Sequence, residues 1–257
     1  MPIVDVSSFL GQWPFRPSWL SQPEALVAAA RQHDITTCLV APAAALLVDD
    51  PSATNDALYR VAARWDELLP VAMWNPSMPD HARVLDAAAD AAAVAVKLAP
   101  SYHQYALDPQ ALAPALDALE AAGMVACIQL RVEDARQMRY QVPDVPMADA
   151  LALAAARPAI RWVLCGARTA EVHAAAEQAG QAGNVWIELS GTDGLACIEH
   201  IAAAVRTDRL LFGTHMPFYY PEANVFKLVE ADLADDARDA LLGGNARELF
   251  GICEPAP

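Results

Sequence analysis

The feature that most limits what this chain can fold into is a repeated pair: a short apolar run, then an alanine-rich amphipathic stretch. Strands are expected at Ile3 to Ser7, Ile35 to Ala41, Leu69 to Trp74, Val94 to Leu98, Val125 to Leu130, Ile160 to Cys165, Val185 to Leu189 and Arg209 to Gly213. Helices are expected between and after them, at Pro23 to His33, Asn55 to Trp65, Pro79 to Ala92, Asp108 to Ala122, Pro146 to Ala156, Thr169 to Gly180 and Gly194 to Ala204. Two more, Ala234 to Leu242 and Asn245 to Phe250, close the chain. Runs apolar on both faces suit parallel strands covered by helices. Eight such units predict an α/β fold, a single (β/α)8 barrel spanning 1–257. A doubly wound open sheet uses the same alternation, but it carries a glycine-rich phosphate loop after its first strand, and Ser7-Ser8-Phe9-Leu10-Gly11 offers none.

Composition enters as a filter on partners. Hydrophobic residues make up 55% and charged residues 19%, which excludes a disordered chain. Seventeen Lys and Arg against 32 Asp and Glu leave a net charge of -15, a sign that repels phosphate backbones and anionic lipid, so neither nucleic acid nor membrane is expected as a partner. The start Met1-Pro2-Ile3-Val4-Asp5 lacks the basic and apolar segments of a signal peptide, and a cytoplasmic location is expected. Five cysteines share no metal-ligand spacing; of these Cys165, beside Gly166 at a strand end, is the one candidate nucleophile.

Chemistry in a barrel sits at the carboxyl ends of the strands. His215 follows the run Leu210-Leu211-Phe212-Gly213-Thr214, and it is the strand-end group best able to change charge near neutral pH. Strict alternation sends Asp5 and Ser7, Asn75, Lys97, Gln129 and Arg131, Glu188 and Ser190, and His215 the same way. Charges inside an apolar barrel must pair or face water. Two accounts stay open: a small-molecule pocket, or a buried network such as Lys97 with Glu188 or Asp5 that holds the barrel closed. The segment Ser101-Tyr102-His103-Gln104-Tyr105 adds a second histidine beside Lys97, and Arg131 to Arg136 with Met138-Arg139-Tyr140 adds a dense mixed-charge loop. The aromatic loop Phe9, Trp13, Phe15, Trp19 and the run Phe218-Tyr219-Tyr220 could cover the pocket or join copies of a homo-oligomer.

With Val96-Lys97-Leu98-Ala99-Pro100, Trp186-Ile187-Glu188-Leu189-Ser190, Leu211-Phe212-Gly213-Thr214-His215-Met216-Pro217 and the closing Gly243-Gly244-Asn245-Ala246-Arg247-Glu248-Leu249-Phe250-Gly251, the chain resembles the amidohydrolase-2 family of metal-dependent TIM-barrel hydrolases and decarboxylases. In that family a metal is held by a first-strand histidine pair, histidines ending strands five and six, and an aspartate ending strand eight. Here those places hold Ser7 and Phe9, Gln129 and Arg131, Cys165 and Gly166, and His215, like a branch of the family that lacks the histidine pair. Zinc needs three or four converging donors, so no cofactor and no catalytic metal is expected in the usual place. The resemblance then implies a hydrolase or lyase for a small, anionic substrate, with His215 as general acid or base and Lys97 and Arg131 binding a carboxylate or developing negative charge. His103, Tyr105, Gln129, Glu188, Ser190, Asp5 and Ser7 would line the site. One alternative is a barrel that binds a small molecule or serves an assembly without catalysis. The other is a divalent ion, Zn or Mn, relocated to His215, His103 and a carboxylate.

Overall fold

The computed structural model describes residues 2–134, 136 and 142–253. Eight strands pair in sequence order and in parallel: β1 (Ile3–Leu10), β2 (Ile35–Pro42), β3 (Leu68–Met73), β4 (Ala95–Leu98), β5 (Val125–Gln129), β6 (Trp162–Cys165), β7 (Val185–Glu188) and β8 (Leu210–Leu211). The helices are α1 (Pro23–Gln32), α2 (Ser52–Ala62), α3 (His81–Asp90), α4 (Ala113–Ala122), α5 (Met147–Ala156), α6 (Thr169–Gln181), α7 (Cys197–Ala204), α8 (Pro221–Val229), α9 (Asp235–Asp239) and α10 (Asn245–Phe250). This is the expected (β/α)8 barrel. The helix α8, which the sequence reading did not place, starts with Pro221 in its first turn and Glu222 behind it, both favourable at a helix start. Among the described residues no helix is long and apolar enough to cross a membrane.

Alternate strand residues divide into two buried layers. One packs inside the barrel, with Val4, Leu39, Val71, Val125, Val163 and Leu211 among its members. The other lies between strands and helices, with Ile35, Val96, Ile128, Leu164 and Ile187 meeting helix residues such as Leu26 and Leu116. The register of β1 against β2 shifts twice, between Ile3 and Val4 and between Asp5 and Ser8, and the second shift bears on the site. On β1 the pairing runs Asp5 with Cys38 and then Ser8 with Val40, so β1 spends one residue more than β2 between the same rungs. This bulge changes which parity faces inward. Val4 and Val6 pack inside before it and Phe9 packs inside after it, which leaves Asp5 on the other side.

The seam between β8 and β1 closes without a regular ladder. Val6 N donates to Phe212 O at 3.1 Å and Phe9 N to Met216 O at 2.6 Å. Between them the Asp5 carboxylate accepts from Ser7 N at 3.0 Å, Thr214 N at 2.9 Å, Thr214 Oγ1 at 2.5 Å and the Ser8 hydroxyl. Asp5 is fully buried, so its charge is carried by these donors and not by water.

Candidate functional site

The inner polar groups meet near the carboxyl ends of β4, β5 and β7, where each is held by a neighbour. Lys97 Nζ donates to Gln129 Oε1 at 3.0 Å and stands 4.6 Å from the centre of the Phe9 ring. Gln129 Nε2 donates to Arg131 O at 2.5 Å. Glu188 accepts from Ser190 N at 2.5 Å, Ser190 Oγ at 2.9 Å and Gly166 N at 3.0 Å. Burial pushes the Glu188 carboxyl up from the usual range, against the pull of these donors and of Lys97. Gly166 allows the close approach: its φ is +76°, and a Cβ there would stand 3.0 Å from Arg131 O and 3.2 Å from Gln129 Nε2.

His215 lies within this assembly at φ +59° and is 1% exposed. Its Nε2 is 2.6 Å from Val132 O, so it is the protonated nitrogen, and the Nδ1 lone pair has no hydrogen-bond partner among the described residues. Phe9 and Phe218 surround the ring at centroid distances of 5.5 and 5.4 Å, and Tyr219 at 4.8 Å. Burial lowers its pKa to about 3, with the Lys97 charge acting the same way. The imidazole is therefore neutral across the physiological range.

The remaining expected site residues separate from this centre. Arg131 turns outward: Nη2 donates to Glu171 at 2.5 Å, Nη1 to Gly166 O, and Nε lies 3.3 Å from Asp144. His103 is tied by Nε2 to Ala45 O at 2.9 Å, and burial lowers its pKa. Tyr105 packs against the layer under the helices. Asn75 holds Asp49 O and the Ser77 hydroxyl. Asp5 belongs to the seam, and the Ser7 hydroxyl is buried beside it without a partner among the described residues. Cys165 is fully buried, its thiol pushed well up by a hydrogen bond to Cys127 and by burial. The expected segment Met138-Arg139-Tyr140 lies outside the described residues.

An aromatic cover closes the barrel above its centre. Trp13, 4% exposed, packs edge-on against Phe15, Tyr102 and Phe218 at 5.3, 6.1 and 5.2 Å. The open cleft, about 980 Å³, is displaced to one side, over the ends of β6, β7 and β8. Its walls come from 16–20, 190–199, 217–220 and α8, and they carry Arg16, Arg131, Arg136, Arg168 and Lys227. Lys97, Gln129, Glu188 and His215 are not among its lining residues; Arg131 and Ser190 are. Tyr219 links the two regions, lining the cleft while its ring packs on His215. Reasoning from strand ends passes over Arg168, Asn224 and Lys227. A compositional signal marks the last of them: the chain has fifteen arginines and two lysines, Lys97 and Lys227.

Residues 6–252 match the model of a family described as Amidohydrolase. Solved structures share the fold at low identity. A 2,6-dihydroxybenzoate decarboxylase complexed with 2,6-dihydroxybenzoate superposes with a TM-score of 0.77 at 17% identity, covering 97% of this chain and 99% of that one. The 5-carboxyvanillate decarboxylase of Sphingomonas paucimobilis gives 0.74 at 15%, covering 98% and 99%. A dihydroxybenzoic acid decarboxylase from Polaromonas with bound manganese and 2-nitroresorcinol gives 0.70 at 15%, covering 97% and 96%. Comparison with curated protein sequences finds no match. Among the described residues no group of three or more His, Cys, Asp or Glu side chains is placed to hold a metal ion. The Nε2 of His215 is already engaged by Val132 O.

Proposed function

The chain belongs to the amidohydrolase family, and from that membership we propose a hydrolase- or lyase-type enzyme that acts on a small anionic molecule in the cleft over β6, β7 and β8, without a resident metal ion. The observation that carries this reading is electrostatic. A chain of net charge -15 gathers five cationic side chains around one cleft of about 980 Å³, against four acidic ones, Asp134, Asp193, Glu199 and Glu230. The lining thus carries a small positive excess where the chain as a whole is strongly negative, and fields inside a cleft are set by the charges that line it. Arg168 is half exposed and, among the described residues, its guanidinium pairs with Asp144 at 3.0 Å, which leaves donors for a carboxylate. Arg131, tied to Glu171, Gly166 and Asp144, fixes the cleft wall. Burial raises the Tyr219 pKa, which keeps its hydroxyl protonated and able to donate to a developing oxyanion. A role for His215 as acid or base requires the covering rings of Phe218 and Tyr219 to move aside, and Lys97 acts from beneath the same cover.

The test pairs small carboxylic acids with their neutral amides in calorimetric titrations, and follows consumption of the bound acids by chromatography. Carboxylates should bind in preference to amides, more weakly as salt rises, and Arg168→Gln should reduce affinity about tenfold, the worth of roughly 1.4 kcal/mol. Equal binding of acids and amides would refute the anionic substrate. Stoichiometric manganese, zinc or iron in protein purified without chelator would refute the metal-free claim.

A second reading, a binding barrel without turnover, is favoured by one observation: Lys97, Gln129, Glu188 and Asp5 are satisfied by one another and by neighbouring donors. Carboxylate binding with no product across the panel would select it.

A further inference from the structure

We infer that the cleft takes a carboxylic acid with an extended apolar tail, its carboxylate held on the β5 and β6 side of the barrel rim and its tail laid across the ends of β7, β8 and β1. The inference rests on the anionic-substrate reading and adds the polarity and reach of the rest of the molecule.

Exposure gives the first reason. Among the described residues seven large hydrophobic side chains stand exposed, and three of them line this one cleft: Trp19, Leu195 and Tyr220, at 59%, 97% and 72%. Two more, Phe226 and Val229, lie on α8, the helix that forms one of its walls. The three lining side chains come from separate segments, after β1, after β7 and after β8, so no single amphipathic element accounts for them. Apolar side chains gathered in this way and rimmed by charge mark a binding surface.

The order of the strands gives the second. Neighbours run β5, β6, β7, β8, and the seam then joins β8 to β1. Arg131 and Arg136 follow β5 and Arg168 follows β6, whereas Leu195 follows β7, Tyr220 follows β8 and Trp19 follows β1. The rim therefore changes from cationic to apolar in one direction around the barrel. Two cations on the apolar side are tied to the protein: Arg16 Nη2 donates to Phe218 O at 2.9 Å, and the Lys227 ammonium is held by Leu189 O, Thr192 O and Asn224 Oδ1, each at 2.8 Å. The lining acids sort in the same sense. Asp134 is paired with Arg136, whose Nε lies 2.9 Å from it, while Asp193 and Glu230 stand exposed on the β7 and β8 side. A carboxylate there would meet these acids, so the molecule lies with its charge toward Arg168.

Size gives the third. The cleft, about 980 Å³, is at the top of the range of about 300–1,000 Å³ that encloses drug-sized ligands, and a short acid such as acetate would leave most of it to water.

Calorimetric titration of the whole protein with straight-chain carboxylates from butanoate to octanoate tests this, with 1-octanol as the uncharged partner of octanoate. Affinity should rise about twofold for each added methylene, half of the roughly fourfold that complete burial gives, and so about fifteenfold across the series. Trp19→Ser and Leu195→Ser, both at exposed positions, should flatten that slope and leave butanoate binding within about twofold of wild type. Arg168→Gln should weaken butanoate and octanoate by the same factor, since it meets the charged end alone. An affinity independent of chain length, or a slope kept by both serine variants, would overturn this inference and leave the anionic-substrate reading standing. Octanol bound as tightly as octanoate would overturn both, so the two failures are distinguishable. Sedimentation without acid should give the same species for wild type and Leu195→Ser; an association lost in the variant would assign the apolar wall to a second copy and overturn the proposal.

Discussion

The Asp5 seam gives the sharpest test of how this barrel is held closed. Asp5 Oδ1 accepts two main-chain N–H groups, from Ser7 and Thr214, and Oδ2 accepts two hydroxyls, from Ser8 and Thr214. In Asp5→Ala the hydroxyls can turn toward each other, since Ser8 Oγ and Thr214 Oγ1 are already 3.4 Å apart, but the two N–H groups are stranded in a dry interior. At about 1–3 kcal/mol for each stranded donor, less the desolvation relieved by deleting a buried charge, the loss should be roughly 2–4 kcal/mol. Asp5→Asn keeps an oxygen at Oδ1 for both N–H groups, and both hydroxyls can rotate to accept from the new amide, so its loss should be about 1 kcal/mol or less. Urea unfolding at neutral pH reads both variants, with an unchanged m-value confirming that the same surface is exposed. Equal losses would mean that the negative charge matters and the seam geometry does not. A loss below about 1 kcal/mol for Asp5→Ala would mean that backbone pairing alone holds β8 to β1.

Three further outcomes follow from the centre and the cleft. His215 has a pKa of about 3 when folded and 6.5 as a free imidazole, so it takes up a proton more readily in the unfolded chain; its contribution is complete above pH 6.5 and is lost as pH falls toward 3. Between pH 7 and 5 this should cost about 2 kcal/mol in the wild type and nothing from this source in His215→Asn, and urea curves that shift in parallel for the two proteins would contradict the assignment. In Gly213→Ala the new Cβ would stand 2.7 and 2.9 Å from Cδ and Cγ of Glu188, so Glu188 must move off Gly166 and Ser190. The expected loss is about 1–3 kcal/mol, and a thermal midpoint equal to wild type would show that the site yields freely. Chelator treatment should leave both midpoint and any turnover unchanged, whereas a fall restored by manganese would overturn the metal-free proposal.

The fold was legible because each strand is an apolar run ending in a turn, a signal that needs no partner to be read. The site was less so, for identifiable reasons. The bulge on β1 sits inside Asp5-Val6-Ser7-Ser8, where nothing in the residue types betrays an added residue, so alternation counted through it cannot place Asp5 and Ser7 on one face together with Phe9 and the inner layer. Arg131 shares its parity with Gln129, but its length lets it reach Glu171 and Asp144 beyond the mouth. The position of the cleft depends on Trp13 packing against Phe218, residues 205 positions apart that close one side of the mouth and leave the other open. No local pattern contains that contact. The strand ends were thus correctly found, while the surface open to a ligand was fixed by side chains outside them.

The same packing bears on why an ion would be poorly placed at the barrel centre under the proposed reading. Lys97 already puts a positive charge there, against the face of Phe9 and close enough to His215 to lower its pKa. A divalent cation about 5 Å from that ammonium would be repelled by roughly 7 kcal/mol at an effective dielectric constant near 20. Glu188 offers little to offset this, because its two oxygens are occupied by Ser190 and Gly166. A metal would therefore have to displace the ammonium, the Phe9 ring and several buried hydrogen bonds together. An anion in the side cleft displaces none of them and meets guanidinium groups that already face water. Under the proposed reading the charge arrangement therefore favours an anion at the rim over a cation at the centre.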